Sequence, residues 1–232
     1  MNNIVNDKVT SYLNDLYKPL NEDLKILRNK AEEKQIPIIL KETESCILSI
    51  IKIKKPKRIL EIGTAIGYSS IFYAAALPEA EIVSLEVDDN MYRIALDNVR
   101  SFGLSERILI RHGDAVKDIK ELAAEIKDVD SEGFDLIFID ASKSFYKEFF
   151  TGSIPVCRRG AIIISDNVLL KARTVSDEYI TDRRQKTNVR RMRQFIDYIM
   201  NLNYADTSIL TVGDGIAVSV LNELQDRMTD DE

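Results

Sequence analysis

The sequence predicts a doubly wound α/β domain behind a helical N-terminal segment, and three observations support that prediction. Between residues 58 and 164, short runs of apolar residues alternate with amphipathic stretches long enough to form helices. Residues 3–34 and 41–53 are rich in helix formers instead. Near the C terminus, two apolar runs flank Gly213-Asp214-Gly215, which is typical of an antiparallel hairpin.

Composition and charge fit one globular domain. The chain has 232 residues, 45% of them hydrophobic and 30% charged, which is enough to bury one sizeable core. We therefore predict a single domain over residues 1–232, with a helical cap over 1–55 and an α/β core over 56–232. The net charge of −6 argues against a protein that coats nucleic acid by bulk charge, although it is compatible with a local basic patch.

Cysteine usage and hydropathy indicate the compartment. Cys46 and Cys157 lie far apart with no CxxC pair, which favours reduced thiols over a disulfide framework or a zinc site. The first residues show no basic segment followed by an apolar run, so no secretory signal is predicted. No apolar run approaches membrane-spanning length. We expect a cytoplasmic protein without a membrane partner.

Three helices are predicted in the N-terminal cap. Pro19 and Pro37 interrupt the helical pattern, which leaves a second helix over residues 21–34 and a third over 41–53. The first helix is predicted from apolar residues at helical spacing, namely Ile4, Val5, Val9, Tyr12, Leu13 and Leu16.

Five short apolar runs predict parallel strands, because strands buried on both faces are apolar throughout. The two runs around the hairpin add a sixth and a seventh strand. Ligands of such sheets bind beyond the carboxyl ends of the strands, so the residues after each run are the candidate site. The five runs are residues 59–62, 82–85, 108–110, 136–139 and 161–164.

A glycine turn follows the first strand, in RILEIGTAIGYSS. Gly63 and Gly67 allow a tight turn and a close approach of the backbone to a ligand, with a helix starting directly afterwards. Their spacing is G-x-x-x-G, which is neither the dinucleotide-binding pattern nor a P-loop. Taken alone, this turn is equally compatible with a plain strand-to-helix connection.

Acidic residues follow the second and third strands. Glu86 ends its apolar run and is placed to accept hydrogen bonds from ribose hydroxyls, whereas Asp88 is better explained as a helix N-cap. Asp114 follows the third strand, where a carboxylate can accept a hydrogen bond from an adenine amino group. His112 is more simply a packed or surface residue than a base. The three strand ends together predict an adenosine-type pocket.

Oxygen-bearing side chains follow the fourth and fifth strands. Asp140 follows FDLIFI, and Asp166 and Asn167 follow AIIIS. Two carboxylates and an amide at neighbouring strand ends suit Mg²⁺, Mn²⁺ or Ca²⁺ better than zinc. The alternative is that Asp140 and Lys143 form a surface turn while Asp166 and Asn167 cap a loop, which requires the two strand ends to lie far apart.

Five motifs in this order and spacing resemble the cation-dependent O-methyltransferases of the catechol and caffeoyl-CoA type: LEIGTAIGYSS, SLEVDDN, GDA, FIDASK and ISDN. The resemblance covers nearly the whole chain and is greatest for the bacterial branch that methylates 5-hydroxyuridine at the tRNA wobble position. It implies a Rossmann-like class I methyltransferase fold, with a mostly parallel seven-stranded sheet and a C-terminal antiparallel hairpin.

The resemblance also implies a set of contacts to S-adenosylmethionine. The glycines would face the cofactor, a serine would lie near its carboxylate and a glutamate beneath its amino-acid end. A second glutamate would hold the ribose, and the residues after the third strand would contact the adenine. In chain order the implied cofactor residues are Glu61, Gly63, Gly67, Ser69, Glu86, Asp114, Ala115 and Asp140.

The same resemblance implies metal and catalytic residues. Asp140, Asp166 and Asn167 would bind a divalent cation, Mg²⁺ foremost, and Lys143 matches the catalytic lysine of a D-x-x-K pattern. Tyr146 matches an aromatic position of that motif without an assigned role. A cation that chelates two adjacent substrate oxygens favours ionisation of the hydroxyl, and Lys143 can then take the proton or hold the oxyanion.

A basic stretch after the fifth strand bears on the substrate. An apolar stripe of Val189, Met192, Phe195, Ile196 and Ile199 predicts a helix there. Beside a predicted active site, this cluster favours a polyanionic substrate, tRNA first, over a solvated face with internal ion pairs. A small catechol-like phenol or a CoA-linked phenol is the alternative. The basic residues are Lys171, Arg173, Arg183, Arg184, Lys186, Arg190, Arg191 and Arg193.

Two functional hypotheses from other classes of protein have less support in the sequence. A nicotinamide oxidoreductase would lack the dinucleotide-binding glycines and leave the Asp140, Asp166 and Asn167 set unexplained. A nucleotide-binding module without catalysis would leave Lys143 unexplained as well. The resemblance also leads us to expect a homodimer.

Overall fold

The structure, a computed structural model, describes residues 6–222 apart from the side chains of Ser131 and Arg183. The helices within that range are α1 Asp7–Leu16, α2 Glu22–Glu33, α3 Lys41–Lys54, α4 Tyr68–Ala76, α5 Asp89–Ser101, α6 Ala115–Glu125, α7 Val129–Glu132, α8 Tyr146–Ser153 and α9 Lys186–Met200. The strands are β1 Arg58–Ile62, β2 Glu81–Glu86, β3 Ile108–His112, β4 Phe134–Ile139, β5 Cys157–Ser165, β6 Ala205–Leu210 and β7 Ile216–Leu221.

One seven-stranded sheet organises the chain, in the order β3-β2-β1-β4-β5-β7-β6. Strands β1 to β5 are parallel, and β7 runs antiparallel to both β5 and β6. Ile62 pairs with Leu85 on one side and Ile139 on the other, and Ile139 pairs with Ser165, so these four strands end level with one another. The predicted doubly wound sheet with its C-terminal hairpin is confirmed.

Both faces of the sheet are covered, which explains why its strands read as continuous apolar runs. Along β4, Ile137 and Ile139 belong to the cluster that contains Phe195 of α9. Leu136 and Phe138 point to the opposite face and join the cluster built around α4. Successive residues of a strand point to opposite faces of the sheet. In a strand that is buried on both faces, the side chains on either face therefore favour apolar residues.

Helix α1 forms where the first helix is predicted, and its apolar face is exposed. Its apolar residues Val9, Tyr12, Leu13 and Leu16 are 45 to 62% exposed, and no residue of the helix is buried. Helical spacing shows that these side chains share a face, but it does not show that anything covers that face. The remaining residues of the predicted stripe, Ile4 and Val5, lie outside the described part of the chain.

A buried polar network attaches the N-terminal helices to the α/β core. Arg28 of α2 and Glu44 of α3 form an ion pair and are 3% and 2% exposed. The Tyr68 hydroxyl of α4 donates to Glu44 at 2.7 Å, and Arg28 Nη2 donates to the main-chain oxygen of Ile39 at 3.0 Å. A buried charge pair is tolerated only with such complete hydrogen bonding, and here it fixes the segment 37–40 against α4.

A local signal in the sequence accounts for the start of α5. Asp88 accepts a hydrogen bond from the backbone nitrogen of Met91 at 2.9 Å, which confirms it as the predicted N-cap of α5. Cys46 is a free cysteine, and the thiol of Cys157 donates a hydrogen bond to the main-chain oxygen of Ser153 at 3.1 Å. Over residues 6–222, none of the helices has the length and apolar character that a membrane crossing requires.

Candidate active site

A cavity of about 680 Å³ opens beyond the carboxyl ends of β1, β2, β4 and β5. A larger cavity of about 940 Å³ lies on the other side of residues 37–40, but no residue that follows β1 to β5 lines it. The site is therefore assigned to the smaller cavity, where polar side chains of several strand ends converge. The predicted residues that line it are Gly63, Ser69, Glu86, Asp114, Ala115, Asp140, Lys143, Asp166, Asn167 and Lys171.

The two glycines of the first turn have different tasks. Gly63 has φ +91°, and a Cβ there would collide with the main-chain oxygen of Asp140, so only glycine lets the ends of β1 and β4 meet. Gly67 has φ +80° and is the N-cap of α4. Its missing Cβ would face Ala95 of α5, and Gly67 does not line the cavity. Gly67 shapes the turn, and its contact with the cofactor stays a prediction.

Glu61 lies beneath the cavity and does not line it. Its carboxylate is fully buried and accepts hydrogen bonds from the hydroxyls of Ser69, Ser70 and Ser84. Burial raises the pKa of Glu61, and the donated hydrogen bonds oppose that rise. Ser69 does line the cavity, so Glu61 orients a hydroxyl at the cavity wall.

The backbone holds Glu86 and Asp114 in fixed orientations. Glu86 Oε2 accepts from the nitrogen of Ala65 at 2.8 Å, and Oε1 accepts from the nitrogen of Asp88 at 2.8 Å. Each carboxylate oxygen keeps a further lone pair that can accept a ligand hydroxyl. Asp114 caps α6 by accepting from the nitrogen of Lys117 at 3.1 Å, and it remains exposed at the cavity wall.

Lys143 joins the ends of β4 and β5. Its Nζ donates to Asp140 Oδ1 at 2.8 Å, to Asn167 Oδ1 at 2.8 Å and to the Tyr146 hydroxyl at 2.7 Å. These three bonds use all three donors of an ammonium group. Asp140 and Asn167 therefore lie close together, which excludes the reading of two separate surface turns.

Asp166 is the most deeply placed acid of the site. It is 1% exposed, and its Oδ1 accepts from the nitrogen of Asn167 at 2.7 Å. Burial raises the pKa of Asp166, and the neighbouring negative charge of Asp140 adds to that rise while Lys143 opposes it. The site thus brings two carboxylates together beside the ammonium group of Lys143.

The predicted metal ligands fit a hard divalent cation by their chemistry. The oxygens of Asp140 and Asn167 both lie within 2.8 Å of one nitrogen, so they are no farther apart than twice that distance. Carboxylate and amide oxygens are ligands that Mg²⁺, Mn²⁺ and Ca²⁺ accept. Among the described residues there is no group of three or more His, Cys, Asp or Glu placed to hold a metal. The set consists of two acids and one amide, with the Lys143 ammonium between them.

The basic helix α9 docks against the segment that follows Asp140. The Ser144 hydroxyl donates to Asn188 Oδ1 at 2.7 Å, and Arg191 Nη1 donates to the main-chain oxygen of Ser144 at 3.2 Å. Lys186, Arg190 and Arg191 are exposed at this end of the helix. The structure therefore places part of the predicted basic cluster beside the segment that carries Lys143.

Other members of the basic cluster are engaged within the protein. Arg173 Nε donates to the main-chain oxygen of Leu170 at 2.6 Å. Arg184 pairs with Asp182 at 2.7 Å. The side chain of Arg183 lies outside the described part of the structure.

Asp214 was missed as a site residue because Gly-Asp-Gly was interpreted only as a turn. It lines the cavity, and its carboxylate accepts a hydrogen bond from the backbone nitrogen of Lys171. Leu170, Lys171 and Ala172 have φ of 48°, 54° and 65°, which costs energy for residues with side chains. The hairpin thus supports a strained loop that carries Lys171 to the cavity wall.

An apolar wall of the cavity was also missed. Residues 37–40 form one side of it, and Phe145 and Phe149 form part of another. Phe145 is 45% exposed, so an aromatic face is available to a planar ligand. A lone aromatic residue after a D-x-x-K pattern carries no local signal that it faces a cavity.

Comparison with known proteins adds an independent observation. The sequence model of one family, described as O-methyltransferase, matches residues 14–221. A catechol O-methyltransferase from Niastella koreensis is 33% identical over 185 residues, which cover 78% of this chain and 81% of that protein. A caffeoyl-CoA O-methyltransferase from Populus kitakamiensis is 28% identical, with 89% of each chain covered.

Solved structures show the same likeness in three dimensions. An O-methyltransferase from Bacillus cereus in complex with SAH is 27% identical, with a TM-score of 0.78 over 93% of this chain and 97% of that one. The SAH-bound methyltransferase PaMTH1 from Podospora anserina is 22% identical, with a TM-score of 0.81 over 94% and 95% of the two chains. The second likeness concerns the fold alone.

Proposed function

This chain belongs to the O-methyltransferase family of the catechol and caffeoyl-CoA type, and from that premise we propose that it methylates the 5-hydroxyl of 5-hydroxyuridine at the tRNA wobble position with the help of a divalent cation. The family assignment makes the chain an S-adenosylmethionine-dependent O-methyltransferase. The acceptor and the cation are the parts that we propose.

The cavity suits the cofactor in shape and chemistry. Gly63 leaves room at the end of β1, Glu86 offers lone pairs to ribose hydroxyls, and Asp114 and Ala115 border the far wall. When bound, S-adenosylmethionine supplies the methyl group that the acceptor oxygen takes. The protein contributes the alignment of that oxygen, which is a large part of catalysis in such transfers.

We propose that Lys143 either accepts the proton of the acceptor hydroxyl or stabilises the oxyanion that remains after its loss. Its Nζ lies at the cavity wall between Asp140 and Asn167. A neutral amine there takes the proton of the acceptor hydroxyl, and an ammonium there stabilises an oxyanion that has already lost it. Either role requires the nitrogen to be held at one point.

The proposed cation would be held by Asp140, Asp166 and Asn167. Its chemistry is to chelate two adjacent acceptor oxygens and lower the pKa of the one that reacts. The support for it is the donor set, in which one buried acid stands beside a second acid and an amide oxygen. Lys143 Nζ has to withdraw from one of its oxygen partners for a cation to share them.

One observation carries the choice of tRNA as acceptor: exposed basic side chains lie beside the cavity of a chain with a net charge of −6. Lys171 lines the cavity, and Arg191 contacts Ser144, the neighbour of Lys143. A polyanion that reaches the site passes these charges. The exposed ring of Phe145 offers a face on which a base can stack.

A second candidate acceptor is a small phenol with vicinal oxygens, free or linked to CoA. The names of the relatives, catechol and caffeoyl-CoA O-methyltransferases, favour it. A catechol and a hydroxylated uracil both carry two adjacent ring oxygens that a cation can chelate. The proposed roles of Asp140 and Lys143 are therefore the same for both acceptors.

Nucleoside mass spectrometry of tRNA from cells that lack the gene tests the acceptor. We expect 5-methoxyuridine to disappear and its hydroxylated precursor to accumulate, with restoration by the wild-type gene and not by a Lys143→Met variant. Unchanged methoxyuridine, together with methylation of catechol by the purified protein, would instead establish the small-phenol reading.

We also propose that the protein forms homodimers. A second copy could cover the exposed apolar side chains of α1, which are Val9, Tyr12, Leu13 and Leu16. Light scattering on a size-exclusion column tests this: a monomer mass at micromolar concentration rejects it.

A further inference from the structure

We propose that Tyr146 is the positioning residue that holds Lys143 at the reacting centre, an inference that rests on the proposed role of Lys143. The Tyr146 hydroxyl accepts a hydrogen bond from Lys143 Nζ at 2.7 Å and donates one to the main-chain oxygen of Asp166 at 2.8 Å. Because its proton is directed to that carbonyl, the hydroxyl presents a lone pair to Lys143.

The ring of Tyr146 is itself immobilised. It is 1% exposed and packs edge-on against Phe195, with ring centroids 5.5 Å apart and planes at 82°. A fixed acceptor at the end of a flexible four-carbon side chain selects one position for the nitrogen.

Tyr146 differs from the other two partners of Lys143 in one respect. Asp140 and Asn167 are proposed cation ligands, whereas Tyr146 lies outside that set. The bond from Lys143 to Tyr146 therefore does not depend on whether a cation shares the other two oxygens. This bond is the one that keeps the amine beside the acceptor throughout turnover.

The variant Tyr146→Phe tests the proposal, and Tyr73→Phe is its matched control. Tyr73 is also fully buried, and its hydroxyl has no hydrogen-bond partner among the described residues. Three quantities are measured for each variant: kcat with catechol or tRNA as acceptor, the affinity for S-adenosylhomocysteine by calorimetry, and the Lys143 ammonium signal in a ¹H–¹⁵N spectrum. That signal is assigned by its absence from Lys143→Met.

We expect Tyr146→Phe to lower kcat about 10- to 100-fold, since displacement of a catalytic group by about 1 Å has effects of that size. The affinity for S-adenosylhomocysteine should stay within about twofold, and the Lys143 signal should be lost because the ammonium exchanges faster with water. Tyr73→Phe should retain kcat, cofactor affinity and the signal. If kcat and cofactor affinity both fell in Tyr146→Phe, the role of Tyr146 would be structural only.

Retention of kcat or of the Lys143 signal in Tyr146→Phe would overturn the proposal. If Tyr146→Phe does not fold, Asn167→Ala is measured instead. That variant keeps Tyr146, so the proposal requires that it also keep the Lys143 signal. Loss of the Lys143 signal in Asn167→Ala would count against the proposal. A wild-type protein that methylates neither acceptor would reject the proposed function, and the spectrum would still decide whether Tyr146 holds Lys143.

Discussion

Gly63 and Asp140 are in such close backbone contact that a Cβ on Gly63 would overlap the main-chain oxygen of Asp140. A hydrogen bond from the nitrogen of Asp140 to the oxygen of Ile62, at 3.0 Å, joins the same two strand ends, and one from the nitrogen of Gly63 to the oxygen of Leu85, at 2.9 Å, joins β1 to β2. The glycine turn that faces the cofactor space and the segment that carries Lys143 therefore form one rigid unit.

Substitution of Gly63 by alanine should weaken both the fold and cofactor binding. The positive φ and the collision together should lower the free energy of unfolding by about 1–3 kcal/mol. Displacement of the Asp140 backbone should weaken the affinity for S-adenosylhomocysteine at least ~10-fold. Calorimetry and thermal unfolding measure the two effects.

Gly103→Ala is the control for that substitution. Gly103 also has a positive φ, of +66°, but a Cβ there meets no atom within 4 Å. We expect a loss of about 1 kcal/mol in stability and no change in cofactor affinity. Equal affinity losses in both variants would show that the contact with Asp140 is unimportant.

Asp140→Ala should abolish methyl transfer, by at least ~100-fold in kcat, because Lys143 loses one hydrogen-bond acceptor and the proposed cation loses a ligand. Binding of S-adenosylhomocysteine should remain measurable by calorimetry. A chelator should inhibit the wild-type enzyme, and added Mg²⁺, Mn²⁺ or Ca²⁺ should restore it. Full turnover in the presence of chelator would remove the cation from the mechanism.

The buried Glu61 should make stability depend on pH. Its pKa is raised by burial, so between its ordinary pKa and the raised value the folded state binds a proton that the unfolded state has released. The free energy of unfolding therefore falls as pH rises through that window. The variant Glu61→Gln lacks this pH-dependent contribution to the free energy of unfolding. Its stability relative to the wild type should therefore increase with pH in urea titrations. A constant difference across pH would show that Glu61 is ionised without penalty.

Neutralisation of Arg190 and Arg191 should weaken binding of tRNA and flatten its dependence on salt. For two phosphate contacts, the slope of log affinity against log salt should decrease by about 1.5. Fluorescence anisotropy with a labelled transcript measures the slope. The matched control removes Arg93 and Arg100, exposed on α5 and paired with Asp89 and Asp97, and should leave the slope unchanged. Identical slopes in the wild type and the Arg190 and Arg191 variant would count against this face.

Much of the site could be predicted because strand ends carry local information. Glu86, Asp114, Asp140 and Asp166 each follow an apolar run, and parallel strands deliver such residues to one edge of the sheet. Gly67 was predicted to face the ligand because its conformational freedom is visible in the sequence while its neighbour Ala95 is not. Asp214 was missed for a related reason, since a turn motif does not show what its side chain reaches.

The sequence by itself determined the order of the strands along the chain, the family and the types of residue at each strand end, because periodicity, turn chemistry and short motifs are local properties. Only the tertiary structure decided which of those residues touch. The three bonds of Lys143, to Asp140, Asn167 and Tyr146, depend on β4 and β5 lying side by side with level ends. The order of strands within the sheet and the packing between them arise from contacts between distant parts of the chain, which short local motifs do not specify.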